Sequence, residues 1–565
     1  MPRLSRLSSL ALALFITLAL AAPVTGSPMI GSPVIGSPNT ATADPPVPRP
    51  ATTPCVAQLF SGVVFADFSP KPFTYTPLAA CPGPWAKVVL EADFSVSAGR
   101  QFDRTAQIAI GHANVYYGTT PEPSATVSPS WHVERDLTDY SPLFAAAQSG
   151  ETNLGNLVNP TFTGIITGSA RLLFYPLAAH QPAPRTADAV LPLSDAPGGA
   201  ALLATTSATL APTLSLPTNV EGAALDLITQ SQSNDEFWYT CVPDDVAGEL
   251  QSCPGTAFRE AEVTVDGQPA GIAPVYPWIF TGGIDPLAWR PIPGVQTLNF
   301  VPYRVDLTPF AGVLSDGHAH QVGVSVFNAD NYFLVAATLL LYEDHGASQV
   351  TGAVTRNTLA PPHPTVQENL STAADGTITG SVTTKALRAF SISGYVDTSH
   401  GRVQTTLDQA IDFSNRQQFV VGATQFVQNI AQTTTVAAAT QTSGRGAART
   451  ATSLTYPLTL DISFVVNADG SSAQTTTADQ RFESVGARVG GGPPSFDRVS
   501  NAVASTDTLL FDATGAFTGF QNRAGSQSYL SQSSDSPCYS RSIASASGLL
   551  TSLVDGQGCP GQGGH

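Results

Sequence analysis

Charge is what this chain has least of. Of its 565 residues only 12% are Asp, Glu, Lys or Arg, about half the usual share. Lysine is nearly absent: Lys71, Lys87 and Lys385 are the only ones among 25 basic residues. The net charge of -17 excludes the basic face that a phosphate backbone needs, so no nucleic acid is expected as a partner. Few positive groups also means weak mutual repulsion once acid neutralises the carboxylates, a composition suited to an acidic medium. The chain has no CxxC, no HExxH, no G-x-S-x-G elbow, no P-loop and no dinucleotide fingerprint. His318-x-His320 has no convincing third ligand, so neither a metal nor another cofactor is expected. Beyond the N-terminus no apolar run approaches the length of a membrane span. Helical periodicity longer than two turns is scarce, with Leu407–Phe413 the nearest instance.

What remains is a secretory, β-patterned chain. Arg3 and Arg6 precede the apolar run Leu10–Leu20, and Ala19-Leu20-Ala21 is a small-x-small cleavage signal. The expectation is a signal peptide over 1–21 and a secreted mature chain free of the membrane, the alternative being an uncleaved anchor. Residues 22–54 repeat Gly-Ser-Pro three times and then turn proline-rich, which reads as a linker. Six cysteines suit an oxidising compartment. Nearness in sequence pairs Cys55 with Cys81, Cys241 with Cys253 and Cys538 with Cys559, one of fifteen connectivities. Elsewhere Val, Thr, Ile, Phe and Tyr alternate with small polar residues, and 48 Gly and 45 Pro punctuate short runs. This is an all-β pattern of sandwiches or barrels. Composition breaks suggest a first β domain over 55–188, a second over 189–348 and a C-terminal β-rich region over 349–565. The last holds no Trp and no acid–aromatic cluster, so chemistry is expected in the first two.

Three clusters carry that expectation. Gly99-Arg-Gln-Phe-Asp103-Arg104 puts two Arg and one Asp between the strand-like runs Ala86–Val96 and Ala106–Tyr117. An ion pair that merely fixes strand ends would look the same. The others are Asn234-Asp235-Glu236-Phe-Trp238-Tyr239 and Thr281-Gly-Gly-Ile-Asp285-Pro-Leu-Ala-Trp289-Arg290. Sugars stack their C–H faces on aromatic rings and hydrogen-bond through hydroxyls, and paired carboxylates allow general acid–base work. A lesser cluster, Trp131–Asp136, places Glu134 and Asp136 on one strand face.

In this order the clusters resemble the peptide-N-glycosidase A family, acid-active amidases that remove N-glycans from glycopeptides. The resemblance is carried by GRQFDR (99–104), WHVERDLTDYSPL (131–143), NDEFWY (234–239), FREAEVTVDG (258–267), YPWIFTGGIDPLAWRPI (276–292) and PYRVDLTPF (302–310). It spans roughly 55–345, and the leader looks bacterial. It implies two packed jelly rolls with the site between them, as in the more distant peptide-N-glycosidase F. It also implies glycopeptides and glycoproteins as substrates, with Asp103 as the first catalytic residue. Glu236 is the best second acid, with Glu260 as the alternative. Arg104, Asn156, Asp235, Trp238, Asp285, Trp289 and Arg290 are the substrate-binding candidates, with both Trp rings stacking on sugars. Asn156 falls where the distant relative has a first-domain Glu.

Overall fold

Short apolar–polar alternation, broken by glycine and proline, leaves the backbone little choice but sheet. In the computed structural model, which describes residues 33–444 and 446–559, twenty-nine strands and only short helices of at most seven residues are found. The expected signal peptide lies outside the described residues. Among those described, no helix is long and apolar enough to cross a membrane.

The first β unit has eight strands: β1 (Cys55–Phe65), β2 (Lys71–Tyr75), β3 (Trp85–Val96), β4 (Thr105–Ile110), β5 (Ala113–Thr119), β6 (Ser130–Asp136), β7 (Gln148–Leu154) and β8 (Ile166–Pro176). They form two antiparallel four-stranded sheets, ordered β1-β8-β3-β6 and β2-β7-β4-β5. Leu90, Phe94, Ile108, Tyr116, Leu172 and Phe174 fill the space between them. The run read as one strand over Ala106–Tyr117 is the hairpin β4–β5. It turns at Gly111-His112, both at positive φ, because six residues of β4 already span the sheet.

The second unit starts with four short strands: β9 (Ala189–Pro192), β10 (Ala200–Leu203), β11 (Thr209–Leu210) and β12 (Thr213–Ser215). Its main strands are β13 (Val220–Ser231), β14 (Glu260–Val265), β15 (Gln268–Pro274), β16 (Tyr303–Asp306), β17 (Ala319–Phe327) and β18 (Phe333–Glu343). One sheet runs β10-β18-β13-β16, with β9 on β18. The other runs β11-β17-β14-β15, with β12 on β17. β13 and β18 are buried along nearly their whole length, which is why their sequences are almost continuously apolar.

The C-terminal region is a single sheet of eleven strands. They are β19 (Thr351–Asn357), β20 (Thr365–Thr372), β21 (Ile378–Thr398), β22 (Gly401–Val421), β23 (Gln425–Ser443), β24 (Ala448–Val466), β25 (Ser472–Gly490), β26 (Ser495–Phe511), β27 (Phe517–Ser533), β28 (Tyr539–Ala546) and β29 (Leu549–Asp555). From β21 onward it is a meander of sequential neighbours. Along β22 the exposure alternates residue by residue, so one face of the sheet is wet and the other is packed. The packed face belongs to the same core as the second unit, with Leu407, Ile411 and Phe413 beside Trp238, Phe258 and Trp278. Leu407–Phe413, the nearest approach to a helix signal, therefore lies in a strand. Tertiary burial overrides its weak helical pattern.

The described part of the segment read as a linker is not free. Residues 36–49 are strapped across three parts of the molecule. Gly36 and Ser37 exchange backbone hydrogen bonds with Leu550, Ala41 N–H donates to Pro291 O, and Val47 N–H donates to Glu134. Prolines keep the strap extended while its backbone groups find partners on its hosts. The three disulfides are Cys55–Cys81, Cys241–Cys253 and Cys538–Cys559, the pairs expected from proximity.

Candidate active site

The segment Gly99–Arg104 links β3 to β4, so Asp103 stands two residues before the β4–β5 hairpin. Arg104 N–H donates to Thr120 Oγ1 at 2.9 Å, and Thr120 N–H returns a bond to Arg104 O at 2.9 Å. These bonds extend the hairpin by one step, and Glu122, two residues beyond Thr120, ends up beside Asp103. Thr281 of the second unit bridges the same point: its hydroxyl donates to Thr120 O at 2.8 Å and accepts Glu122 N–H at 2.9 Å. Gly282 follows at φ +96°, a conformation that disfavours side chains. A Cβ there would lie 2.0 Å from Glu122 Oε2 and 3.6 Å from Asp103 Oδ1. Both carboxylates therefore converge on the one residue that carries no side chain.

Glu236 arrives from the other unit. β13 ends at Ser231 and turns tightly, and Asp235 anchors that turn. Its carboxylate pairs with Arg259 Nε at 2.8 Å and accepts the backbone N–H of Asp330 and Asn331. β13 meets β4 through Gln230, which accepts from Thr105 Oγ1 at 3.1 Å and from Tyr117 OH at 2.6 Å. This contact brings Glu236 within electrostatic reach of Asp103. Burial, then the charges of Glu236 and Glu122, push the Asp103 carboxyl up to about 8, with Arg104 opposing. Burial pushes Glu236 up to about 7 and raises Glu122, which Arg290 and Arg100 partly offset. The repulsion is mutual, so the group retains protons where ordinary carboxylates would have lost them. Among the described residues, neither Asp103 nor Glu236 has an ion-pair partner, whereas Glu122 binds Arg290 at 3.0 Å.

Several expected binding residues are structural instead. Trp238 is wholly buried against Phe413 and Tyr239. Trp289 is 2% exposed, and its ring N–H donates to Gly283 O. Trp238 cannot stack on a sugar, because its ring is enclosed by the core that its size helps to fill, and Trp289, which borders a small cavity beside Glu122, exposes too little of its ring to do so. Asp235 is spent on Arg259. Asp285 is buried and caps its own turn through Leu287 and Ala288 N–H. Asn156 is fully buried, and its amide donates to Phe65 O and Gly164 O. Glu260 is buried on β14 and pairs with Arg388 of β21. Glu134 binds Arg49 and His132, away from the three converging carboxylates. Arg104 and Arg290 do belong to the site.

Glu122 is the residue that sequence reasoning missed. A signal was present: it is the single Asp, Glu, Lys or Arg between Arg104 and Glu134, held between Pro121 and Pro123. The partly exposed rings are also different from those expected. Phe102 lies 5.0 Å from Phe162, with the Arg100 guanidinium over both. Phe237 reaches Gly283, and Tyr332 feels the charge of Glu236. A cavity of about 200 Å³ opens beside Glu122, lined also by Thr281, Arg290 and Arg523. Elsewhere, Glu91, His132 and Glu134 bring ligand-type atoms within 4.8 Å of one another, but Arg49 and Arg171 already neutralise that group.

The family model described as peptide N-acetyl-beta-D-glucosaminyl asparaginase amidase A matches residues 45–360. The model of the PNGase A C-terminal domain matches residues 381–458. A protein of Prunus dulcis, peptide-N4-(N-acetyl-beta-glucosaminyl)asparagine amidase A, is 31% identical over 394 residues, 66% of this chain and 67% of its own. Among solved structures, PNGase F, a glycosylasparaginase from Flavobacterium meningosepticum, is 13% identical with a TM-score of 0.36, over 52% of this chain and 96% of that one. PNGF-II gives the same identity and TM-score over 52% of this chain and 66% of its own.

Proposed function

The chain belongs to the peptide-N-glycosidase A family of amidases, and from that premise we propose that it hydrolyses the amide between Asn and the first N-acetylglucosamine of N-glycopeptides at Asp103, Glu122 and Glu236. The observation that carries this reading is their convergence: three carboxylates, of which only Glu122 has an ion-pair partner among the described residues, meeting where two β units touch.

An amide carbon is a poor electrophile. The site must deprotonate water, steady the tetrahedral oxyanion and protonate the leaving nitrogen. Asp103 takes the proton from water as the water oxygen attacks the side-chain carbonyl carbon, and the adjacent Arg104 favours its ionised form. Glu236, kept acidic by burial, gives its proton to the nitrogen as the C–N bond breaks. The products are Asp on the peptide and a 1-amino sugar. Glu122, held by Arg290, keeps the pair from ionising together. Phe102 and Phe162, capped by Arg100, supply the ring surface for sugar. Mutual repulsion lets the coupled pair keep one proton where ordinary carboxylates have lost theirs, so one member serves as base while the other serves as acid, and the scarcity of basic groups supports an acidic working medium. The leader and the three disulfides support secretion. The first unit's order, β1-β8-β3-β6 over β2-β7-β4-β5, supports reading it as a jelly roll, with domains at about 55–188, 189–348 and 349–565.

A defined N-glycopeptide incubated with the protein and then weighed tests the reading. The amidase converts Asn to Asp, a gain of about one mass unit, as the chemistry requires. A glycosidase leaves one N-acetylglucosamine on Asn, and a binding protein leaves the glycopeptide intact. Either of these two results overturns the assignment.

A further inference from the structure

The C-terminal sheet carries none of the three converging carboxylates, yet six polar side chains of the sheet reach the same two loops. Asn415, Gln428 and Gln417 donate to the carbonyls of Tyr239, Thr240 and Cys241, just after Glu236. Gln474, Ser505 and Arg523 donate to the carbonyls of Ile284, Ala288 and Arg290, just after Gly282. Burying such groups is costly unless every one is partnered, so a sheet serving only as cover would carry apolar residues there.

One contact in this set is left incomplete. Asp285, in the loop, and Asp507, on β26, are both 0% exposed, and the Oδ2 atom of each has no hydrogen-bond partner among the described residues. Asp507 lies directly across the β25–β26 ladder from Thr476, and the Thr476 hydroxyl bears on Asp285. The two carboxylates therefore flank one threonine. The cations that face them are Arg523 of β27, which acts on both, and Arg290, which acts on Asp285 and is already bound to Glu122. Arg523 offsets one negative charge. The second has no counter-ion, and two orphaned carboxylate oxygens are what one shared proton would satisfy.

We propose that Asp507 is a positioning residue for the Thr281–Arg290 loop, which it holds by sharing a proton with Asp285 and so fixing Gly282 and Arg290 under Glu122 and Asp103. This rests on the reading of those carboxylates as the reacting site. Desolvation and the Asp285 charge push Asp507 up to about 6, and burial raises Asp285. A carboxylate raised on folding contributes stability that is complete below its unfolded pKa and lost as pH rises through the folded one. The clamp therefore holds in acid and loosens toward neutrality.

The test compares the full-length wild type with Asp507→Asn and Asp507→Leu. Thermal midpoints are read without substrate from about pH 4.5 to about pH 8. Asn donates a hydrogen bond to Asp285 and cannot ionise, so the Asn variant should gain on the wild type as pH rises through about 6. A difference that stays flat with pH overturns the proposal. With N-glycopeptide, Leu should lower kcat by about tenfold or more with little change in KM, and Asn should restore most of it. Wild-type kcat in the Leu variant also overturns the proposal. Should Leu prevent folding, the pH-dependent gain of the Asn variant still decides. A wild type that releases no glycan refutes the functional reading while the thermal result stands on its own.

Discussion

Two groups of acids gather on the first β unit, one within it and one at its boundary with the second, and their electrostatics are opposite. On one sheet, Glu91, Asp93 and Glu134 meet Arg49, Arg171 and His132 in ion pairs of 2.6 to 3.1 Å. There, Arg49 and His132 overcome desolvation, bringing Glu134 down to about 2, while Asp93 and Glu134 raise His132 to about 9. At the boundary with the second unit, Asp103, Glu122 and Glu236 are also accompanied by three arginines, Arg100, Arg104 and Arg290. Only Arg290 makes a pair there, and burial drives the carboxyl pKa values upward instead. Counting charges does not separate the two groups. Distance does. Where cations are within hydrogen-bond reach the cluster is structural, and where they are held back the acids keep protons that chemistry can use.

The sharpest way to break the comparison is to neutralise one acid in each group. Asp103→Asn should lower glycan release by about 10²- to 10⁴-fold with the fold intact. Glu134→Gln should leave release within about twofold and lower the thermal midpoint by a few degrees. Equal losses of activity would dissolve the distinction. Glu122→Gln comes next, with a loss of about ten- to a hundredfold in kcat, because it removes a charge that keeps the other two from ionising together. An unchanged kcat would remove Glu122 from the site.

The pH dependences should run in opposite directions. Asp103 is raised to about 8 from an ordinary 3.8, so the wild type loses stability relative to Asp103→Asn as pH rises through that value. The activity of the wild type should fall as pH rises through about 7, where Glu236 loses the proton it gives to the leaving nitrogen. Glu134 is lowered to about 2 from 4.5, so its contribution is present above the ordinary value and lost as acid takes the folded protein through the lower one. The midpoint deficit of Glu134→Gln should therefore shrink in strong acid. The smallest effect concerns the rings. Phe102→Ala should raise KM several-fold, about 1 kcal/mol of lost stacking. Trp238→Phe should leave KM unchanged and cost only stability, and a raised KM for Trp238→Phe would return that ring to the substrate.

Asp103 was legible because two Arg and an Asp stood together in a charge-poor chain, and Glu236 because a second such cluster followed. Glu122 carried the same kind of signal, an isolated acid between two prolines, but without an aromatic neighbour it drew no attention. The error over Trp238 and Trp289 has a single cause. An indole beside charged residues looks the same in sequence whether it faces a ligand or seals a loop to a core, and here Trp238 packs on Phe413 of the C-terminal sheet while Trp289 ties its ring N–H to Gly283 O of its own loop. Asp235 and Asp285 sit beside the converging acids and spend carboxylate oxygens on holding their turns, Asp235 on Arg259 and the N–H groups of Asp330 and Asn331, Asp285 on those of Leu287 and Ala288.

By itself the sequence carried the all-β class in its alternation, the family in the order of its motifs, and the three disulfide pairs in the nearness of their cysteines. Which acids meet was decided only by the tertiary structure. Asp103 and Glu236 are 133 residues apart, and their encounter depends on β4 touching β13 through Gln230. Whether each becomes an ion pair or a retained proton depends on a few ångströms to the nearest guanidinium, a distance that no one-dimensional pattern records.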